Sequence, residues 1–146
     1  MGRSGATLPE LVVVLVLASL LLALALPPLK RGYDRLMTRG AAREVATLFH
    51  VARAAAIASG RPTAVHLRDD VARAAVVRRG ETLLVRSPGP SFGVAMRSTR
   101  DSMAYTIIGL GFGAANLSVE LSRGRAVDTV VISREGRVRI GTRRRP

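Results

Sequence analysis

The strongest pattern in the sequence is a change of period along the chain. From residue 11 to residue 26, sixteen successive positions carry no charge, and Ser19 is the one polar side chain among them. Pro27 and Pro28 follow and are expected to bend or interrupt any helix that reaches them. Beyond them Leu29, Tyr33, Leu36, Met37, Ala41, Val45, Leu48, Phe49, Ala52 and Ala56 recur at three- and four-residue steps. That spacing predicts an amphipathic helix with one apolar face, closed near Ser59 by Gly60-Arg61-Pro62. Arg31, Arg35, Arg39, Arg43 and Arg53 fall mainly on the opposite, solvated face.

After Pro62 the period drops toward two, the signature of strands. Strands are expected over residues 63–67, 74–77, 82–86, 92–96, 105–108, 117–121, 129–132 and 137–140. Arg78-Arg79-Gly80-Glu81 reads as a hairpin turn, Ser87-Pro88-Gly89-Pro90 as a turn cluster, residues 97–102 as a polar loop, and Gly124 and Gly136 as turn glycines. The fold class is therefore α+β: a long N-terminal helix packed on a C-terminal domain of antiparallel β-sheets, with about seven or eight short strands.

The apolar run admits several readings. As a helix it spans about 24 Å, short of a hydrocarbon core of about 30 Å unless flanking residues help. A helix apolar on every face is not the buried core of a domain of this size. A cleaved signal peptide has some support, since Arg3 precedes the run and Ala23-Leu24-Ala25 has a small-x-small pattern. Glu10, a lone carboxylate at the entrance of the run, argues against it, because an acid at that depth needs a partner.

Charge adds a second feature. The formal net charge is +13, and 22 of the 23 basic residues are arginine, Lys30 being the one lysine. Residues 60–146 hold sixteen arginines against seven acids, and residues 134–146 hold six against Glu135. Such a balance suits an anionic partner, although arginine-rich base composition produces the same bias without function. More basic residues follow the apolar run than precede it, which by the positive-inside rule places the C-terminal domain in the cytoplasm.

Chemistry-bearing constellations are missing from the pattern. Without cysteine there is neither a disulfide framework nor a cysteine metal site. Gly109-Leu110-Gly111-Phe112-Gly113 lacks the strand–turn–helix context of a phosphate loop and reads as turn or bulge glycines. His50 and His66 gather no carboxylates at ligand spacing, Asp69-Asp70 reads as a turn, and Ser91 and Ser133 have no recognisable base. No catalytic residues, no metal and no cofactor are expected, and the chain is not read as an enzyme.

The segment Gly5-Ala6-Thr7-Leu8-Pro9-Glu10, with the apolar run behind it, resembles the class III signal of type IV pilins and type II secretion pseudopilins. Ala6 stands where the family has mostly Phe, and Pro9 where it has an aliphatic residue; proline is tolerated at a helix start. The resemblance implies that prepilin peptidase cuts between Gly5 and Ala6, releasing residues 1–5 as a leader, and methylates the amine of Ala6. It implies residues 6–26 as an inner-membrane and filament-core helix, 27–60 as its amphipathic continuation, and 61–146 as a β-rich head lying outside the cytoplasm, against the charge rule. Glu10 would then pair with the N-terminal amine of a neighbouring pilin, since two buried opposite charges tolerate each other where one alone would not.

Residues 54–63, 113–121 and 130–141 are further similar to the GspH/FimT group of minor pseudopilins. In that group, FimT-like members bind DNA for transformation through a C-terminal Gly-Arg-x-Arg motif. Gly136-Arg137-Val138-Arg139 matches the motif, and Arg143, Arg144 and Arg145 extend it. In a strand Arg137 and Arg139 share a face, as contacts to one phosphate backbone require. The near lack of aromatic residues speaks against base stacking as the main mode. The reading is a minor subunit of a type II secretion pseudopilus or type IV pilus, with DNA capture as an alternative. A secreted basic protein that binds polyanions is the alternative from another class.

Overall fold

The computed structural model describes residues 7–112 and 116–144. They form one long helix, α1 (Leu8–Ser59), one short helix, α2 (Pro88–Phe92), and nine strands. The strands are β1 (Thr63–Arg68), β2 (Arg73–Arg78), β3 (Glu81–Arg86), β4 (Ala95–Ser98), β5 (Ser102–Tyr105), β6 (Gly111–Phe112), β7 (Leu117–Arg123), β8 (Ala126–Ile132) and β9 (Val138–Arg144). All pairings are antiparallel, in two sheets with the orders β3-β2-β1-β5-β6 and β4-β7-β8-β9. The α+β reading with antiparallel sheets is correct, and the described residues form nine strands where about seven or eight were expected.

The chain divides into two units, one ending at Tyr33 and the other starting at Asp34. In the first, the α1 residues bury nothing. Thirteen large apolar side chains from Leu8 to Leu26 are each at least 50% exposed, and the helix is long and apolar enough to cross a membrane. Pro27 and Pro28 do not interrupt it. Proline's fixed φ is itself helical, so the cost lies in two lost N–H donors and in crowding, at about 3 kcal/mol or more for each. Long helical stretches on both sides outweigh that cost, and the Arg31 Nε donates to the Pro27 carbonyl at 3.2 Å.

In the second unit the remainder of α1 supplies the core. Ala41, Ala42, Val45, Leu48, Phe49, Ala52 and Ala56 are fully buried against Val65, Val76, Tyr105, Leu117, Val119, Leu121, Val130 and Ile132 from both sheets. The buried stripe differs from the expected one at its start. Leu36 is 65% exposed, whereas Asp34 and Thr38 point inward. Each of these polar side chains meets a partner. Asp34 pairs with Arg123 at the end of β7, Nε to Oδ1 at 3.0 Å, and Thr38 donates to the buried Asp128 of β8 at 2.8 Å. Leu29 and Tyr33 are exposed as well and the first buried apolar residue is Ala41, so hydrophobic spacing alone ran the apolar face about three turns too far toward the N-terminus.

Three further local readings change. Ser87-Pro88-Gly89-Pro90 leads into α2 rather than forming a plain turn, with proline at the first helical position and Gly93 closing it at φ +61°. Phe92 therefore belongs to α2 instead of a strand, and its ring fills the space that Gly40 leaves on α1, where a Cβ would come within 2.6 Å of it. The strand expected over residues 105–108 ends at Tyr105. Thr106 then closes a turn, with its N–H donating to the Leu110 carbonyl at 2.8 Å and the Gly109 N–H returning to the Thr106 carbonyl at 2.8 Å.

Candidate functional site

Two regions carry the candidate residues, and they are built differently. At the N-terminus, Gly5 and Ala6 lie outside the described residues. Thr7 immediately precedes α1 and Glu10 is the third helical residue. The Glu10 carboxylate reaches back to accept the Thr7 N–H at 3.4 Å. That is half of a capping box, which satisfies one of the helix's orphan donors and places a negative charge at the positive end of the macrodipole. The Thr-x-x-Glu spacing stands in the sequence and was the signal for it. Glu10 thus has a partner within its own chain.

The second region gathers around Gly136. The turn between β8 and β9 is closed by the Ser133 N–H donating to the Arg137 carbonyl at 2.9 Å, and by the Arg137 N–H donating to the Ser133 hydroxyl at 3.2 Å. Gly136 sits in it at φ +79°, where L side chains are strained. Space excludes a side chain as well: a Cβ there would lie 2.7 Å from the Gly109 carbonyl oxygen and 2.8 Å from the Arg53 Nε. Arg53, on α1, donates that Nε to the Gly109 carbonyl at 3.0 Å. The turn of the Gly-Arg-x-Arg motif therefore rests on the loop after β5 and on a helix residue more than eighty positions upstream. Arg53 is partly buried and engaged, where the helical pattern assigned it to a solvated face.

Around this junction lies a cleft of about 410 Å³, lined by His50, Arg53, Glu135, Gly136, Arg137 and Val138. His50 and Arg53 are three residues apart and so share a helix face. Among the described residues the side chains of Arg137 and Arg139 make no hydrogen bond or ion pair, and Glu135 pairs with neither. β9 starts at Val138, so Arg137 is the last turn residue rather than the first of the strand. Arg139 alternates with Val138 and Ile140, which pack on the core, and faces away from it. Arg143 and Arg144 lie further along β9, opposite Val127 and Ala126, and Arg145 lies outside the described residues.

β9 is an edge strand, and what fixes it is polar. Asp128 is only 3% exposed and accepts from Thr38 at 2.8 Å and from Thr142 of β9 at 2.8 Å, while Arg39 donates to Thr142 at 3.0 Å. Arg39 stays exposed, as the face assignment has it, and reaches β9 through this one hydrogen bond. Close by Arg53, Tyr105 is fully buried with no partner for its hydroxyl among the described residues. Burial pushes that hydroxyl up to about 12, the Arg53 charge opposing the shift. Among the described residues no cluster of His, Cys, Asp or Glu could hold a metal ion.

A bare apolar half-helix joined to a helix-packed pair of antiparallel sheets is the architecture of a type IV pilin-like subunit. Residues 41–136 match the family of the type II transport protein GspH, and the chain belongs to that family. In structure it is similar to the type IV minor pilin FimU of Pseudomonas aeruginosa, at 14% identity and a TM-score of 0.63 over 74% of this chain and 90% of that one. It is also similar to the minor pseudopilin EpsH of the Vibrio cholerae type 2 secretion system, at 12% identity and a TM-score of 0.59 over 72% and 96%. Among curated proteins no sequence matches the chain.

Proposed function

We propose that this chain is a minor subunit assembled into a type IV pilus or a type II secretion pseudopilus through its N-terminal helix, not an enzyme. The observation that carries the reading is the contrast within α1: a charge-free stretch with no buried residue, headed by one carboxylate, leading into a folded head. At about 1.5–3 kcal/mol for each large apolar side chain taken out of water, thirteen of them amount to tens of kcal/mol in favour of lipid or of neighbouring helices. In this reading prepilin peptidase cuts between Gly5 and Ala6, the leader 1–5 is lost and the Ala6 amine is methylated. Residues 6–26 hold the subunit in the inner membrane and then in the filament core, 27–60 continue the helix, and the head 61–146 stands outside the cytoplasm.

Glu10 is assigned the amine of a neighbouring subunit, for which it gives up its own Thr7 N–H. Two substitutions separate the roles. Glu10→Gln keeps an acceptor for the cap but no charge, and Glu10→Ala removes both. With a charge pair at work, both variants are cleaved yet enter the filament at least tenfold less than wild type, measured in sheared filament fractions. If Glu10→Gln assembles normally, the carboxylate is a helix cap and no more. Intact mass of the membrane-extracted protein tests processing: loss of residues 1–5 and gain of one methyl is expected, and cleavage after Ala25 overturns the reading.

A second reading, DNA capture, is favoured by Arg137, which lines the cleft, and Arg139, neither of which has a side-chain partner among the described residues. Contacts made by arginine to phosphates give affinity without base recognition, so binding would be sequence-independent and salt-sensitive. Substituting both Arg137 and Arg139 by Ala should lower duplex affinity and flatten the salt dependence by up to about two charges' worth of slope. Unchanged affinity and slope would leave the motif with a structural role alone.

A further inference from the structure

We propose that the cleft beneath the Gly136 turn is itself a phosphodiester-binding site, in which His50 and Arg53 of α1 act together with Arg137. The proposal rests on the DNA-capture reading and extends it from the C-terminal strand onto the helix.

The donors are already in place. Arg53 spends one of its five N–H groups on the Gly109 carbonyl, which fixes the guanidinium plane, and among the described residues its other donors have no partner. Arg137 also lines the cleft, its backbone held by the closed Ser133–Arg137 turn, and among the described residues its side chain is equally unengaged. His50 adds a ring N–H one helical turn from Arg53. Glu135 is the carboxylate in the cleft lining and pairs with neither arginine, so among the described residues neither positive charge has an ion-pair partner. An arginine fork presents parallel N–H groups that suit the tetrahedral oxygens of a phosphate better than the single carboxylates of an acidic peptide. The exposed Arg139 lies two residues beyond Arg137 in β9, so a polymer bound in the cleft has a further cationic group near by in the chain. Gly136 belongs to the same device, because any side chain there would displace Arg53 from Gly109.

The test uses the full chain in detergent, with a labelled DNA duplex and a salt series. His50 is exposed, so its replacement leaves the core alone. His50→Arg adds a third permanent cation and should tighten binding about three- to tenfold at low salt, steepening the log–log salt slope by about 0.9. His50→Glu places an acid between the two arginines and should weaken binding about tenfold, with an unchanged melting temperature. Polyglutamate at equal charge should compete at least a hundredfold less well than unlabelled duplex. If both His50 variants bind like wild type while the Arg137/Arg139 double variant is weakened, the cleft is not the site and DNA capture by β9 stands. Competition by polyglutamate equal to that of DNA overturns the phosphodiester assignment in favour of an acidic polypeptide. Absence of DNA binding by the wild-type chain removes both readings together.

Discussion

The two parts of α1 make the most instructive comparison in the molecule. Up to Tyr33 it buries no residue, and from Asp34 to Ser59 it buries ten. Backbone and secondary structure are the same in both, so the difference lies in side chains. The first part is uniformly apolar, and a uniform surface has no preferred direction in which to pack; it suits a surrounding that is apolar on all sides. The second part is divided into faces, and division gives a unique seat against two sheets. Uniformity serves association with many equivalent neighbours, and asymmetry serves a single fold.

That comparison yields an ordered set of expectations. The largest effect should come from Phe49→Ala, which empties a fully buried site at the centre of the head and costs about 3–5 kcal/mol. Denaturant unfolding of the head would report it, while membrane extraction stays unchanged. Leu17→Asp should do the reverse, weakening membrane retention without moving the head's unfolding midpoint. If either substitution moves both measurements, the two parts are not independent.

Next in size is Asp128→Ala. It leaves Thr38 and Thr142 without their buried acceptor, for an expected loss of about 1–3 kcal/mol and faster hydrogen exchange confined to β9. The smallest effect is a gain. Tyr105→Phe removes a buried hydroxyl that has no partner and should stabilise the head by about 1 kcal/mol. Because burial holds the Tyr105 hydroxyl up at about 12 in the folded state, above the ordinary tyrosine value of 10.0, the folded head retains this proton where the unfolded chain releases it. Its contribution is full below pH 10 and is lost as pH rises from 10 toward 12. Comparison of the alkaline melting curves of wild type and Tyr105→Phe should show that loss in the wild type alone.

Much of this architecture was legible before the coordinates. The apolar run and the hairpin glycines Gly124 and Gly136 each follow from a local rule and appear where the rule put them, whereas the amphipathic stripe of α1 begins later than its spacing suggests. What stayed hidden depends on partners distant in sequence. Asp34 and Thr38 look like solvent residues until Arg123 and Asp128 are brought to them. Arg53 belongs to a solvated face until Gly109 and Gly136 arrive beside it. α2 has only five residues, with Pro-Gly-Pro at its start, and holds its shape through the packing of Phe92 against Gly40. Ile107 and Ile108 have strand-like side chains but sit in a turn, 52% and 67% exposed, because the backbone bonds of Thr106 are closed within the turn. Of the candidate sites, the motif around Gly136 could be read in one dimension, but the cleft under it could not, since α1 contributes His50 and Arg53 to its lining.

The buried Asp128 has a consequence for accuracy of folding. As the last strand at a sheet edge, β9 has one neighbour to align it, and a slip of one residue would exchange its two faces. In the observed alignment Thr142 stands across from Asp128, and the short hydroxyl fits beside Thr38. A slip in one direction would set Gly141 there, which offers the carboxylate no side-chain donor. A slip in the other would force an arginine stem into the same gap. Either error would also turn Arg139 inward and carry Val138 and Ile140 out to water. One acid among three polar neighbours, Thr38, Arg39 and Thr142, thus acts as a proofreader of strand position, rejecting misaligned β9 before its arginines can be displayed on the wrong side.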